Sequence, residues 1–235
     1  MCRIVTYNIH SGVGNDKKQD YRRIGNFLAE NGADIVLLQE MDTRPENREL
    51  EQDIKDICAD KVFVLAPSPA LNEQNGWYGN AVLSRYPIIS NETLDVSQDG
   101  FQPRNIQTVV VQTHKGPLTV INTHKGLKKR ERRSQFALLH EYIEERMKLL
   151  PSPLVLGGDF NEWQFFTSAF KALNNILRPT HVGATFPSKF PLFSLDRIWT
   201  TRDIVVHKCK RIKNGKTKLF SDHLPIQLDM QLPKQ

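Results

Sequence analysis

The 235-residue chain is 39% hydrophobic, with apolar residues spread from end to end, which supports one sizeable core and excludes extended disorder. No apolar run approaches the ~20 residues a membrane-spanning helix needs, and three scattered cysteines without a Cys-x-x-Cys pair exclude a zinc knuckle and a disulfide framework. A formal charge of +6 points to anionic partners without choosing among nucleic acid, anionic lipid and an ordinary basic surface.

A first strand is expected from Arg3 to Tyr7, so near Met1 that no leader peptide fits before it. Together with free thiols this predicts a cytoplasmic protein. Tyr21, Ile24, Phe27 and Leu28 recur at helical spacing before Asn31-Gly32, whose glycine suits a C-terminal cap. The apolar run from Ile35 then reads as a strand ending in Gln39-Glu40. Further β-rich runs follow at Val62 to Ala66, Asn80 to Ser84, Ile88 to Leu94 and Ile106 to Gln112, with turns at Asn75-Gly76, Tyr86-Pro87 and Asp99-Gly100. The strand–helix–strand phrase then recurs. Its parts are Leu118 to Asn122, a helix marked by Phe136, Leu139, Ile143, Met147 and Leu150 and ended by Pro151 and Pro153, and Leu154 to Leu156. Later strands are expected at Leu195 to Thr200, Ile204 to Cys209 and Ile226 to Met230. So many strands, with a helix after every second or third, predict an α/β (α+β) fold: a four-layer αββα sandwich of two mixed sheets packed face to face with helices outside. Nothing resembling a linker divides residues 1–235, so a single domain is expected.

Asn8, Glu40, Asn122, His124 and Asp159 all fall at or just past the carboxyl ends of expected strands, where polar groups can line one cleft. Facing inward mid-strand, each would cost up to several kcal/mol unless hydrogen-bonded. Gly157-Gly158-Asp159-Phe160-Asn161 and Ser221-Asp222-His223 crowd carboxylate, amide and imidazole into few positions. Such groups suit metal-assisted phosphoester hydrolysis, which needs a cation for the growing charge and a base, here Asp159 or a histidine, for the water. Asp159 and Asn161 can address one point; a turn capping the next helix is the structural alternative. Arg104 reads as a phosphate contact or as a surface-loop arginine. The basic cluster Lys125, Lys128, Lys129, Arg130, Arg132 and Arg133 opposes the dipole of the long helix it enters, and serves either an anionic ligand or a solvated helix face. Lys208 to Lys218 reads as a mobile basic hairpin. The aromatic segments Trp77-Tyr78 and Phe186 to Phe193 either stack on bases, enter a lipid interface or pack beneath loops.

In order along the chain stand Thr6-Tyr7-Asn8, Leu38-Gln39-Glu40, the stretch Asn80 to Pro87, Asn122-Thr123-His124, Gly157 to Asn161, Leu195-Asp196-Arg197-Ile198 and Ser221 to Pro225. This ordered set resembles the endonuclease/exonuclease/phosphatase superfamily, the deoxyribonuclease I-like fold. His124-Lys125-Gly126-Leu127 and Thr185-Phe186-Pro187, with Phe190-Pro191-Leu192, are similar to phrases of bacterial members associated with cardiolipin synthases. The resemblance implies a Mg²⁺-dependent phosphodiesterase, Mn²⁺ substituting, acting on nucleic acid or a phospholipid-type diester as a monomer, with peripheral membrane contact an open possibility. It makes Glu40 the principal metal ligand with Asn8 and Asp222, and has Asp159 deprotonate the attacking water while Asn161 holds it. It places His223, paired with Asp196, on the scissile phosphate and His124 at a phosphate oxygen or the leaving group. Deoxyribonucleases support their counterpart of His124 with a glutamate where this chain has Asn80, so His124 is expected to act as a neutral donor. Asn80, Arg104 and Lys125 complete the expected substrate contacts. The alternative is a noncatalytic adaptor that holds nucleic acid or membrane on its basic face.

Overall fold

The computed structural model describes residues 1–44, 49–149, 152–164 and 167–233. The chain runs through Cys2–Asn8 (β1), Tyr21–Glu30 (α1), Ile35–Asp42 (β2), Leu50–Ile57 (α2), Val64–Glu73 (β3), Gly76–Ser84 (β4), Ile88–Asp95 (β5) and Asn105–Thr113 (β6). It continues through Gly116–His124 (β7), Lys129–Leu149 (α3), Leu154–Asp159 (β8), Ser168–Ile176 (α4), Arg178–Thr180 (β9), Asp196–Thr200 (β10), Val205–Arg211 (β11), Gly215–Phe220 (α5) and Ile226–Gln231 (β12). One six-stranded sheet has the order β11-β12-β1-β2-β4-β3 and the other β5-β6-β7-β8-β10-β9. The repeated strand–helix–strand phrase is real: β1 and β2 pair in parallel, as do β7 and β8, at the middle of their sheets. Leu150 and Pro151, expected at the end of α3, lie outside the described residues.

Period-two alternation divides the strands between two environments. Val5, Tyr7, Val36 and Leu38 pack outward with Tyr21, Ile24, Phe27 and Leu28 of α1. Ile121, Leu154 and Leu156 pack outward with Phe136, Leu139 and Ile143 of α3 and with Phe170 and Leu173 of α4. The residues between them, Ile4, Ile35, Leu37, Val120, Val155 and Ile198, form the layer between the sheets. Followed along each strand, this inner face changes character. Ile4 leads to Thr6 and Asn8, Val120 to Asn122 and His124, and Val155 to Gly157 and Asp159. The apolar layer therefore ends in a polar one at the carboxyl ends of β1, β7 and β8, and β10 runs antiparallel to β8, which brings Asp196 to the same end, opposite Asp159.

Just beneath that end lies a hydrogen-bonded junction between the sheets. Gln39 Nε2 donates to Asn122 Oδ1 at 2.8 Å and to Thr6 Oγ1 at 3.1 Å, while Asn122 Nδ2 donates to Leu38 O and Ala81 O. Asn122, expected in the cleft, is instead fully buried here, because its amide satisfies carbonyls of the opposite sheet. Gly158 makes the approach of β8 to β7 possible: with φ at +149°, an added Cβ would stand 1.9 Å from Thr123 O.

Trp77 stands in β4 and packs into the outer core, the packing alternative of its aromatic segment. Two sequence expectations are corrected. The basic stretch from Lys208 is an edge strand followed by α5, whose start is closed by a capping box in which Asn214 and Thr217 bond reciprocally. Three helices, α2, α4 and α5, were not anticipated; each is short, and α4 and α5 are held by side-chain caps at Thr167 and Asn214.

Candidate active site

The ends of β2, β7 and β8 and the loops before β6, after β8 and before β12 bring Glu40, His124, Asp159, Arg104, Asn161, Asp222 and His223 to one cleft of about 560 Å³. Glu40 reaches it through an irregularity. The pairing of β2 with β4 shifts register between Leu38 and Met41, and Glu40 takes a left-handed φ of 59°. Gln39 thereby faces the other sheet and Glu40 the cleft. Four cleft residues, His10, Ser11, Glu40 and Asn161, have positive φ, a conformation that non-glycine residues hold only where surrounding contacts impose it.

Asp159 is the hub. Its Oδ2 accepts from Asn8 Nδ2 at 3.0 Å and lies 3.7 Å from Nε2 of both His124 and His223, while its Oδ1 accepts from Asn161 N at 2.9 Å. Burial pushes the Asp159 carboxyl up to about 6, with His223 pulling the other way. That value suits a base working near neutral pH.

The two histidines have opposite environments. His223 Nδ1 donates to Asp196 Oδ2 at 2.8 Å, and Thr185 Oγ1 donates to the same oxygen at 2.5 Å. Burial disfavours the imidazolium, but Asp196 and Asp159 outweigh it and the ring is pushed up to about 10. His223 is thus a fixed cation at neutral pH, and Phe186 covers it with ring centroids 4.9 Å apart. For His124, burial, with Arg104 and His223 nearby, holds the ring well below the ordinary histidine range, so it is neutral. Its tautomer follows from its neighbour. Asn161 Nδ2 donates to Lys125 O at 2.9 Å, which orients the amide, and the same nitrogen stands 3.1 Å from His124 Nε2. Nε2 is therefore the acceptor and the ring proton is on Nδ1. Asn80 does not assist: its Nδ2 donates to Asn105 Oδ1 at 2.8 Å.

Glu40, His124 and Asp159 offer donor atoms within 4.8 Å of one another, and Asp159, Asp196 and His223 do the same. The first group fits a hard divalent cation. It joins two carboxylates, and Glu40 is partly open to the cleft. In the second, His223 is already satisfied by Asp196. Asn8, expected to give its carbonyl oxygen to the cation, is corrected: Oδ1 accepts from His10 N at 3.0 Å, so the amide turns its Nδ2 toward Glu40 Oε1 at 2.8 Å. Asp222 lines the cleft but joins neither group; its Oδ1 stands 3.3 Å from Ser221 Oγ and 3.9 Å from His10 Nδ1.

Arg104 is 4% exposed and lines the cleft beside His124; its guanidinium donates to Pro103 O and Gln102 Oε1, and its Nε has no hydrogen-bond partner among the described residues. A buried guanidinium held by neutral acceptors is a receptor for an anion. Lys125, expected beside it, is corrected. It is fully buried, its Nζ donates to Gln135 O at 3.1 Å over the ring of Phe136, and burial brings the amine down to about 7. Tyr78, of the aromatic pair singled out in the sequence, is a cleft wall; sequence reading missed the bracing of Asp196 by Thr185 and the cleft walls Gln102, Trp163 and the Arg44–Asp42 ion pair. It also missed the role of Ser221, whose Oγ donates to Asn8 O and accepts from His223 N, tying the last motif to the first.

The model of the endonuclease/exonuclease/phosphatase family matches residues 5–223. YbhP of Escherichia coli K12 is 31% identical over 98% of this chain and 96% of its own length. Among solved structures, the mannosyl-6-phosphatase Bt3783 of Bacteroides thetaiotaomicron superposes with a TM-score of 0.79 at 17% identity, over 99% of this chain and 100% of that one. Danio rerio TDP2, solved with a single-strand DNA product, superposes at 0.72 and 15% identity, covering 98% of each chain. The activities in the family's title all hydrolyse phosphoesters, and by the extent of the match and the likeness to YbhP this chain belongs to the endonuclease/exonuclease/phosphatase family.

Proposed function

We propose that this chain is a divalent-metal-dependent phosphodiesterase in which Asp159 activates the attacking water. The observation that carries this reading is the placing of one buried carboxylate between a neutral and a charged imidazole, 3.7 Å from each, with Glu40 converging on the same point. Mg²⁺ or Mn²⁺, held by Glu40 with Asp159 alongside, would supply positive charge for the phosphate and the departing oxygen.

The protein's own groups do the rest. Asp159 takes the water proton, its basicity raised by burial. The His223 imidazolium, fixed by Asp196 and Thr185, faces the phosphate as a permanent positive donor. Arg104, which lines the cleft with His124, binds phosphate oxygens. Asn161 Nδ2 donates to His124 Nε2, so the neutral ring fixes the Asn161 amide beside Asp159. The substrate in this reading is a nucleic-acid or phospholipid-type phosphodiester; the single-strand DNA product held by TDP2 supports the first of these. A phosphoester panel run with Mg²⁺, Mn²⁺ and chelator tests the reading. Turnover is expected with either metal, absent with chelator and absent in Glu40→Gln; metal-independent turnover, or none on any ester, contradicts it.

A further inference from the structure

Large apolar side chains are exposed on two segments that each contribute a wall to this cleft, through Phe186 and through Leu127. Phe186 and Phe193 pair as an isolated bridge, with Trp163 packed against both rings, and the tip they carry presents Phe190 80% exposed and Leu192 65% exposed beside exposed Lys189. Leu127, a cleft residue on another loop, is 60% exposed and is followed directly by exposed Lys128, Lys129 and Arg130. Exposed large apolar side chains on two segments that border the same cleft mark a contact surface.

We propose that this rim seats the cleft on an anionic lipid surface, with Phe190, Leu192 and Leu127 entering the headgroup boundary and the flanking lysines and Arg130 meeting lipid phosphates. The proposal rests on the phosphodiesterase reading and narrows its substrate to a diester presented at a membrane. Two features select lipid over nucleic acid. Leucine has no π face to stack on a base, so Leu127 and Leu192 gain from an apolar medium but not from a strand. Both loops combine large apolar tips with cations and carry no acid between Gly126 and Arg130 or between Lys189 and Leu192, the composition of an interfacial anchor for anionic lipid.

Sedimentation with vesicles of phosphatidylglycerol and phosphatidylcholine in equal parts, against phosphatidylcholine alone, tests it without using catalysis. Wild type is expected to sediment with the mixed vesicles only, and Phe190→Ser/Leu192→Ser to bind them ~tenfold more weakly. That variant should keep wild-type turnover of soluble bis-p-nitrophenyl phosphate, since neither residue touches the catalytic groups. Lys128→Ser/Lys129→Ser/Arg130→Ser should lose the preference for anionic vesicles. Wild type left in the supernatant, a double variant that binds like wild type, or one that loses oligonucleotide binding instead of vesicle binding, overturns the proposal. Vesicle binding without turnover of any phosphodiester would instead overturn the reading it rests on.

Discussion

Asp159→Asn is expected to lower kcat for phosphodiester hydrolysis by ~10³-fold or more while melting no lower than wild type near neutral pH. The two outcomes have one cause. The carboxylate is buried beneath the cleft, and burial lifts it to about 6 from an ordinary 3.8. An acid whose folded value is raised binds its proton more tightly in the folded chain, so stability falls as pH climbs from about 3.8 to about 6, and the loss persists above that. Asparagine removes this cost and keeps an acceptor for Asn161 N–H, but it cannot take a proton from water. The variant should therefore separate the catalytic from the structural role. Thermal melts and initial rates across pH read it, and a variant that hydrolyses at the wild-type rate would remove Asp159 from the mechanism.

Asp196→Asn should change the pH profile more than the acid-side rate. His223 is raised to about 10 because Asp196 and Asp159 outweigh its burial. A base raised in this way gives stability that is complete below the ordinary 6.5 and is lost as pH rises toward about 10. Without the Asp196 charge the imidazolium is lost nearer neutrality, so the alkaline limb of kcat/KM should move to lower pH. A rate deficit of ~10²-fold is expected on the alkaline side, shrinking on the acid side. The stability slope between those two values should flatten as well. A variant with a uniform deficit and an unmoved limb would show Asp196 to be merely structural.

The two predictions rest on parts of the molecule of unequal legibility. The ends of β1, β2, β7 and β8 could be read because alternation and motif coincide there: the inner face of each strand turns polar where the sheet stops. Helix α3 was legible from Phe136, Leu139 and Ile143. What escaped depends on contacts distant in sequence. Asn8 reads as an oxygen ligand, and only the fold shows its Oδ1 accepting from His10 N while its Nδ2 turns to Glu40 and Asp159. Lys125 and Arg132 belong to a run of cations, yet both are buried, Lys125 against Gln135 and Arg132 beside Glu162. Nothing local distinguishes them from Lys128 and Lys129, which remain in solvent. Thr185 is a further case, since its bond to Asp196 is set by the loop that also presents Phe186 to His223. Resemblance supplied the pairing of Asp196 with His223, and the fold supplies its physical reason: antiparallel β8 and β10 set Asp196 against Asp159.

The most direct test is a crystal soaked in Mn²⁺ and measured at a wavelength where manganese scatters anomalously. A single strong peak within bonding distance of a Glu40 carboxylate oxygen, adjoining Asp159 and lost in Glu40→Gln, is the predicted result. A map with no peak there, or with manganese held away from Glu40 and Asp159 in protein that still hydrolyses phosphodiesters, would contradict the account.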